Sequence, residues 1–526
     1  VAVSDFNQDG YPDIYVCNDF HEDDYYYLNN GDGTFAEKLK EYFGHTTRFS
    51  MGSDVADINH DGWPDILSLD MLPEDEAILK ASDGDESLQI LKMRVEQYGY
   101  HYQFTRNMLQ VNQPGYKFVE TALLSGIAAT DWSWSSLFED FDQDGHQDLF
   151  ISNGIPKRPN NLDFIKFVSS DQIQKKINNT RLVDQEALNM MPGGKVHNYV
   201  FQGDGNIGFK DRSGDWIKKD SLISGATALG DLDNDGDLDL VVSNINEPAA
   251  LYINQTNENN NYLKIKFELP DANKLGIGTK VLSYLGVQVQ YKELYTVRGL
   301  QSSSEPMIHF GYGDAVAIDS IRIIWPDRTT QLLTNVKTNQ LLILSPEGSE
   351  NLEPTFFNPS RTELFSKIQD NLGIDFEHQE NNYNDFNVTK LIPYQVTDRG
   401  PALAVGDLNG DGKEDVFFGG SSKIPSRIYI QEAGGFTEQE VERIKQDSIY
   451  EDVYALIEDL NDDGRNDLFV GTGGADLYQN PSTRLDNYYQ RTDDGFGKSK
   501  LPDYFENASV IAPSDIDGDG DMDLFV

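Results

Sequence analysis

The chain of 526 residues sets 42 Lys and Arg against 88 Asp and Glu, a formal net charge of -46 with a pI near 4.3, which disfavours nucleic acid and anionic membrane surfaces as partners. Hydrophobic residues at 38% and aromatics at 11% are too abundant for a disordered acidic chain, so the protein folds under strong self-repulsion. No apolar run reaches the length of about 18 residues that a spanning helix needs, and no signal peptide is visible.

The chain begins at Val1 in a strand-like run that leads directly into an acidic nonapeptide, D-x-[DN]-x-D-G-x-x-D, starting at Asp5. The same pattern returns at Asp57, Asp140, Asp231, Asp407, Asp459 and Asp515. The unit is about 50 to 60 residues long, with insertions, which marks a repeat architecture. Oxygen ligands at alternate positions of a tight loop suit a hard cation such as Ca²⁺, and Gly at the sixth position permits the turn.

The expected ligands of the first loop are Asp5, Asn7, Asp9, the carbonyl of Tyr11 and Asp13; those of the second are Asp57, Asn59, Asp61, the carbonyl of Trp63 and Asp65. The third offers Asp140, Asp142, Asp144, the carbonyl of His146 and Asp148, and the fourth Asp231, Asp233, Asp235, the carbonyl of Asp237 and Asp239. The fifth offers Asp407, Asn409, Asp411, the carbonyl of Lys413 and Asp415, and the sixth Asp459, Asn461, Asp463, the carbonyl of Arg465 and Asp467. The seventh has Asp515, Asp517, Asp519, the carbonyl of Asp521 and Asp523. Variety at the seventh position fits a main-chain ligand. An EF-hand would need a bidentate Glu at position twelve and a helix after it. Here position twelve is Val16, Ser68, Ile151, Val242, Phe418, Val470 or Val526, and β-rich runs such as LFISN and LVVSN follow the loops.

These loops resemble those of FG-GAP/VCBS repeats, the calcium-binding β-propeller blades also seen in integrin α chains. The resemblance implies an all-β fold of four-stranded blades with Ca²⁺ as structural cofactor. Second strand cues agree: YYYLNNGDGTF (25 to 35), NMLQVNQPGYKF (107 to 118), NYVFQGDGNIGF (198 to 209) and RIYIQEAGGF (427 to 436) each carry a β-rich run, a Gly-centred turn and a Phe. Cys17, just past the first loop, is the only cysteine and excludes an intrachain disulfide and a cysteine metal cluster.

Two insertions interrupt the first repeats. Residues 74 to 106 carry a helical pattern with Leu88, Leu91, Val95 and Tyr98 on one face, and a charged, Pro-free stretch runs from Leu162 to Met191. Between them, DWSWSS places Trp132 and Trp134 two apart on an expected strand, both facing one side, either as a sugar-stacking platform or as packing. The tyrosines Tyr25 to Tyr27 beside HEDD are open to the same two readings.

After the fourth loop a different β-rich module runs from Asn259 to Ser345. It resembles the ASPIC/UnbV domain in Asn261, Tyr262 and Leu263, in Gly276 and Gly278, in Ser302 to Ser304 before His309, Phe310 and Gly311, in Trp325 and Pro326, and in Asn339 and Gln340. Where that family often has Gly after Trp-Pro-x, this chain has Arg328, so the turn there is expected to differ. In the cartilage acidic protein group and its bacterial relatives such a module follows an FG-GAP propeller. The expected layout is propeller blades over 1–258, the module over 259–346, and the start of a second propeller over 347–526, with a short helix near Glu363 to Asp370. One seven-bladed propeller with the module inserted after its fourth blade is the alternative. Because both ends fall within strands, the sequence reads as a segment of a longer protein.

No HExxH, G-x-S-x-G or phosphate-loop pattern occurs; GIGTKV reads as a β-turn, and His309 as a packing or hydrogen-bonding residue. The expected function is therefore non-enzymatic: an exported, calcium-binding propeller that binds a polysaccharide or a cell-surface or extracellular protein. The resemblance implies an extracellular or bacterial outer-surface location. A glycan-active hydrolase or lyase with two carboxylates in a cleft is one alternative, and a structural spacer in a larger surface protein is another.

Overall fold

A computed structural model of the chain describes all residues except 21, 83–86, 114, 116, 170–187, 257–259, 271, 352–366, 369, 381–382, 388–389, 392–399, 475–484, 502–507 and 526. The fold is all-β with short helical insertions. The described residues form two compact units, residues 1–361 and 362–526.

The first unit opens with three four-stranded antiparallel sheets, here called blades. The first comprises Ala2–Ser4, Asp13–Val16, Tyr25–Asn29 and Phe35–Glu37; the second, Ser53–Ala56, Asp65–Ser68, Met108–Val111 and Val119–Glu120. The third comprises Ser133–Glu139, Asp148–Asn153, Tyr199–Gly203 and Phe209–Asp211. A fourth blade has three strands, Ser224–Gly230, Asp239–Asn244 and Ala250–Tyr252. Each acidic loop joins the first strand of its blade to the second. The runs after the loops are therefore second strands, paired on both edges and covered on both faces, which is why Asp148–Asn153 is buried at every residue and does not alternate.

First strands of successive blades lie side by side, those of the first, second, third and fourth blades forming one arc. Apolar side chains fill the space between blades. Leu67, Leu109, Phe138, Leu149 and Ile151 are fully buried in one cluster, and Leu137, Phe150 and Val242 in the next. Each such side chain contributes about 2 kcal/mol of transfer free energy. Polar links repeat between blades as well. Asn112 Nδ2 at the end of a third strand donates to Phe6 O of the preceding blade's loop at 2.8 Å, and Asn254 Nδ2 does the same to Phe141 O at 2.8 Å.

The module completes the first unit. Its one sheet sets Tyr262–Phe267 between Ile308–Gly311 and Gln340–Leu344, so three of the sequence signatures meet there: Leu263 lies opposite both Phe310 and Gln340. The other sheet runs Gln288–Glu293, Lys280–Leu285, Ala317–Ile324, Thr329–Lys337 and Glu350–Asn351. Trp325 is buried between the two, edge-on to Phe267. Gly276 and Gly278, both left-handed, form the turn expected of GIGTKV.

The second unit repeats the blade pattern twice, in Leu403–Gly406, Asp415–Phe418, Arg427–Glu432 and Gly435–Gln439, then in Asp452–Glu458, Asp467–Thr472, Asn487–Thr492 and Gly495–Ser499. Ala512–Ser514 and Asp523–Phe525 begin a third.

The insertion after the second loop holds helices, Glu76–Ala81 and Leu88–Tyr98; on the face that carries the half-buried Leu91 and Val95, Arg94 is the buried residue, its Nη2 donating to Gln103 Oε1 at 2.8 Å, while Tyr98 is exposed. Trp132 and Trp134 form no platform. Trp132 is buried, and the half-buried Trp134 donates its indole N–H to Gly154 O at 2.6 Å. A register shift between Ser133 and Ser136 breaks the alternation that would have aligned the two rings. In the other insertion Leu162–Val168 is helical and capped by Asn161, while most of the stretch to Met191, like most of the expected helix near Glu363, lies outside the described residues.

Candidate metal centres and the module that covers them

All seven loops share one hydrogen-bond frame. The sixth-position Gly N–H donates to Oδ2 of the first Asp at 2.7 to 3.2 Å in every copy, from Gly10 and Asp5 to Gly520 and Asp515. The seventh-position N–H donates to Oδ1 of the fifth-position Asp at 2.8 to 3.3 Å, again in every copy. That N–H is a constant partner of the loop, which fits the indifference of the seventh position to side-chain type.

The ninth-position Asp braces the loop against its blade. One oxygen accepts the second-position N–H, as Asp13 does from Phe6 at 3.0 Å and Asp148 from Phe141 at 2.8 Å. The other accepts a backbone N–H near the end of the third strand, as from Asn29 at 2.8 Å and Gly203 at 3.0 Å. In the sixth loop, Asn461 Nδ2 and Tyr488 Oη replace the second-position donor to Asp467. An Asp is thus required at this position for hydrogen bonding, whatever else its remaining lone pairs hold.

Sequence reading missed the fourth position. In every loop it is left-handed, with φ between 53° and 78° at Gln8, His60, Gln143, Asn234, Gly410, Asp462 and Gly518. Glycine in the fifth and seventh copies was the available signal. The side chains there link successive loops: Gln8 Nε2 donates to Gly62 O, His60 Nε2 meets His146 Nδ1 at 2.9 Å, and Gln143 Nε2 reaches Gly236 O at 3.4 Å.

In the three loops with Asp at the third position, the first, third and ninth carboxylates converge. Oxygens of Asp140, Asp142 and Asp148 lie within 4.8 Å of one another, as do those of Asp231, Asp233 and Asp239 and those of Asp515, Asp517 and Asp523. Asn7, Asn59, Asn409 and Asn461 put an amide oxygen at that position in the remaining loops. The fifth-position Asp9, Asp61, Asp144, Asp235, Asp411, Asp463 and Asp519 cap the seventh-position N–H through Oδ1, which leaves Oδ2 of each for a further partner. Burial, with repulsion from neighbouring carboxylates, pushes Asp13 and Asp57 up to about 8 and raises Asp140 and Asp148. A cation among the buried carboxylates of the third loop would favour their ionised forms, and an all-oxygen set fits a hard divalent one.

The module lies on the loop side of all four blades of the first unit. On the first blade, Ser4 Oγ donates to Glu293 Oε2 at 2.7 Å and Lys280 pairs with Asp5. Arg298 bridges two blades, with Nε and Nη2 on Asp54 at 3.0 and 2.7 Å and Nη1 on Glu139 at 3.4 Å; Lys292 also pairs with Glu139. The Ser-rich stretch reaches the first strands: Gly299 N donates to Ser53 O at 3.1 Å, Leu300 N to Ser135 Oγ at 3.1 Å, and Leu229 N to Ser304 Oγ at 3.2 Å. His309, buried and held down to about 3 by desolvation, sits against Gly236 O at 2.9 Å and stacks on Tyr262. Of the signature residues, Ser304 and His309 thus face the blades, while Leu263, Phe310 and Trp325 build the module's own core.

The tyrosine cluster divides by face. Tyr26 is buried in the first blade's core, and Tyr25 and Tyr27 stack outside it with centroids 5.6 Å apart.

Residues 5–68 and 407–470 match the family model for FG-GAP-like repeats, and residues 270–351 match that for ASPIC and UnbV. No curated protein sequence matches the chain. Among solved structures, similarity extends to a lectin of Agrocybe aegerita that recognises non-reducing terminal N-acetylglucosamine, at 11% identity and a TM-score of 0.20 over 94% of this chain and 77% of that one. It extends also to the V. cholerae biofilm matrix protein Bap1, at 11% identity and a TM-score of 0.21 over 89% and 73%. Scores this low carry nothing about this chain's ligand. The repeat matches fall on the first, second, fifth and sixth acidic loops and the other match on the module, so the chain carries FG-GAP-like repeats on either side of an ASPIC/UnbV module.

Proposed function

We propose that the protein is an exported scaffold, clamped by Ca²⁺ in its acidic loops, that binds a polysaccharide without turning it over. The observation that carries this reading is the common hydrogen-bond frame of seven loops around first, third and ninth oxygen ligands, a donor set suited to Ca²⁺. Affinities of such extracellular sites, roughly 0.1 to 1 mM, keep them filled outside cells and empty in a cytoplasm.

The docked module covers much of the loop side of the first four blades, which leaves a ligand the openings between blades. A cavity of about 470 Å³ between the third and fourth blades fits. It is lined by Trp216, Tyr252 and Phe150, with Asp142, Asn254 and Gln255 among its polar groups. An aromatic wall with a polar rim is the chemistry that holds a sugar ring.

The test is a glycan array with the full chain in calcium and in EDTA, alongside Trp216→Ala. Calcium-dependent binding that Trp216→Ala abolishes, with no new reducing ends, supports the reading. Released product would make the protein a glycan-active enzyme, and capture of surface protein alone would move the ligand class.

A further inference from the structure

The four-stranded blades share a register that the fourth blade breaks. In each of them a backbone N–H at the end of the third strand donates to Oδ1 of the ninth-position Asp, from Asn29, Asn112, Gly203, Gln431 and Arg491 at 2.8 to 3.0 Å. A Phe of the fourth strand stands opposite that residue: Phe35 on Asn29, Phe209 on Gly203, Phe436 on Gln431 and Phe496 on Arg491. Phe118 takes the same place for Asn112, one step beyond the pair Val119 and Val111. In the fourth blade Asn254 N makes the equivalent bond, to Asp239 Oδ1 at 2.9 Å, but among the described residues no fourth strand lies beside it. The chain does not turn back there. Thr256 N donates to Asp237 Oδ2 at 2.8 Å and Asn260 Nδ2 to Asp142 O at 2.6 Å, which carries it to the loops and into the module at Tyr262–Phe267.

The 470 Å³ cavity lies where such a strand would pack. Phe118 is buried in the cluster that joins the first blade to the second, and Phe209 packs on the cluster that joins the second to the third. Next in the series is the cluster of Phe150, Val200 and Leu240 between the third and fourth blades. These three residues line the cavity together with Tyr252 and Asn254 itself. The strand Ala250–Tyr252 pairs only with Asp239–Asn244, and Leu251 and Ile253 are exposed along its free edge. A free edge beside an apolar pocket is the arrangement that accepts an added strand.

We propose that the free edge of the fourth blade takes a β-strand from a separate protein, with an aromatic side chain opposite Asn254 filling the cavity, and that this strand and the polysaccharide exclude one another there. Main-chain hydrogen bonds to the edge supply affinity and the pocket selects the side chain. The five Phe residues at the matching position define that side chain. A second copy of the chain offers no free strand of this kind among the described residues, because all five belong to blades already paired. The net charge of -46 favours a strand flanked by Lys or Arg. The exclusion rests on the polysaccharide reading of the cavity; the strand seat does not.

The probe is a synthetic peptide of residues 206–212, which carries Phe209, and its Phe209→Ala form, each added in excess to the full chain in calcium. Hydrogen exchange read by mass spectrometry is expected to slow at least tenfold over residues 250–254 with the first peptide and to stay unchanged with the second. No slowing with either, or equal slowing with both, overturns the strand seat. A glycan selected on the array is expected to displace the peptide. Simultaneous binding of the two overturns the exclusion and leaves the polysaccharide reading standing, whereas peptide binding with no glycan bound anywhere overturns that reading and leaves the strand seat. Native mass spectrometry identifies the source of the strand: a dimer of the chain that the peptide splits would assign it to a second copy and overturn the separate partner.

Discussion

The guanidinium of Arg328 lies 3.6 Å from the ring centroid of Tyr11 and donates through Nη2 to Asp9 O at 3.2 Å. Arg328 occupies the position where related modules often carry Gly, and it adopts the backbone that Gly would, with φ at 68°. The turn is therefore glycine-like, and the cost of placing a side-chain residue there, about 1 kcal/mol, is offset by the contact with the first loop. Arg328→Gly should change stability to urea by less than about 1 kcal/mol, since strain and clamp go together, whereas Arg328→Ala should cost about 1 to 2 kcal/mol because only the clamp is lost.

Chelation should weaken the fold. At calcium ten times the dissociation constant each loop gains about 1.4 kcal/mol, so thermal melts in calcium and EDTA should differ by several degrees. Unchanged melting would remove the metal from the loops altogether.

Ninth-position and fifth-position acids should separate in EDTA. Asp13 holds two backbone N–H groups, from Phe6 and Asn29, while Asp9 accepts one backbone N–H, from Tyr11, and the Asn7 side-chain amide. Asp13→Ala should therefore cost about 2 to 4 kcal/mol with no calcium present, and Asp9→Ala about 1 kcal/mol or less. Equal losses in urea titrations would deny the ninth position its bracing role.

A buried acid outside the loops gives a pH signature. Asp24 accepts from Tyr15 Oη at 2.6 Å and Ser50 Oγ at 3.0 Å, and burial pushes it up to about 6. Its folded form thus holds a proton more tightly than its unfolded form. Stability from this group is greatest below the unfolded value near 3.9 and falls as pH rises to about 6, by about 3 kcal/mol in all. Asp24→Asn should flatten that part of the stability profile; a parental slope retained in the variant would assign it to other groups.

The Asp, Asn and Gly spacing announced the loops because the frame needs those residues: only a carboxylate can take two N–H groups as Asp13 does, and Gly10, at φ 90°, needs the freedom that its lack of a Cβ gives. The fourth position was hidden because Gln8, His60 and Asn234 reach the same left-handed backbone without a common side chain. Arg94 was hidden for another reason. Helical periodicity counts apolar residues, and here an arginine satisfied by Gln103 joins Leu91 and Val95 on the buried face. The pairing of Lys280 with Asp5 joins residues 275 positions apart, and no local pattern encodes it.

The bond between Ser4 and Glu293 spans 289 residues. At synthesis rates of about 5 to 20 residues per second, the first blade, complete at Glu37, exists for roughly 13 to 50 s before Glu293 is made. During that interval its loop is uncapped, and its first strand waits beside a neighbour that is itself incomplete. The early life of this unit is thus a queue, in which the first blade waits for a partner made long after it.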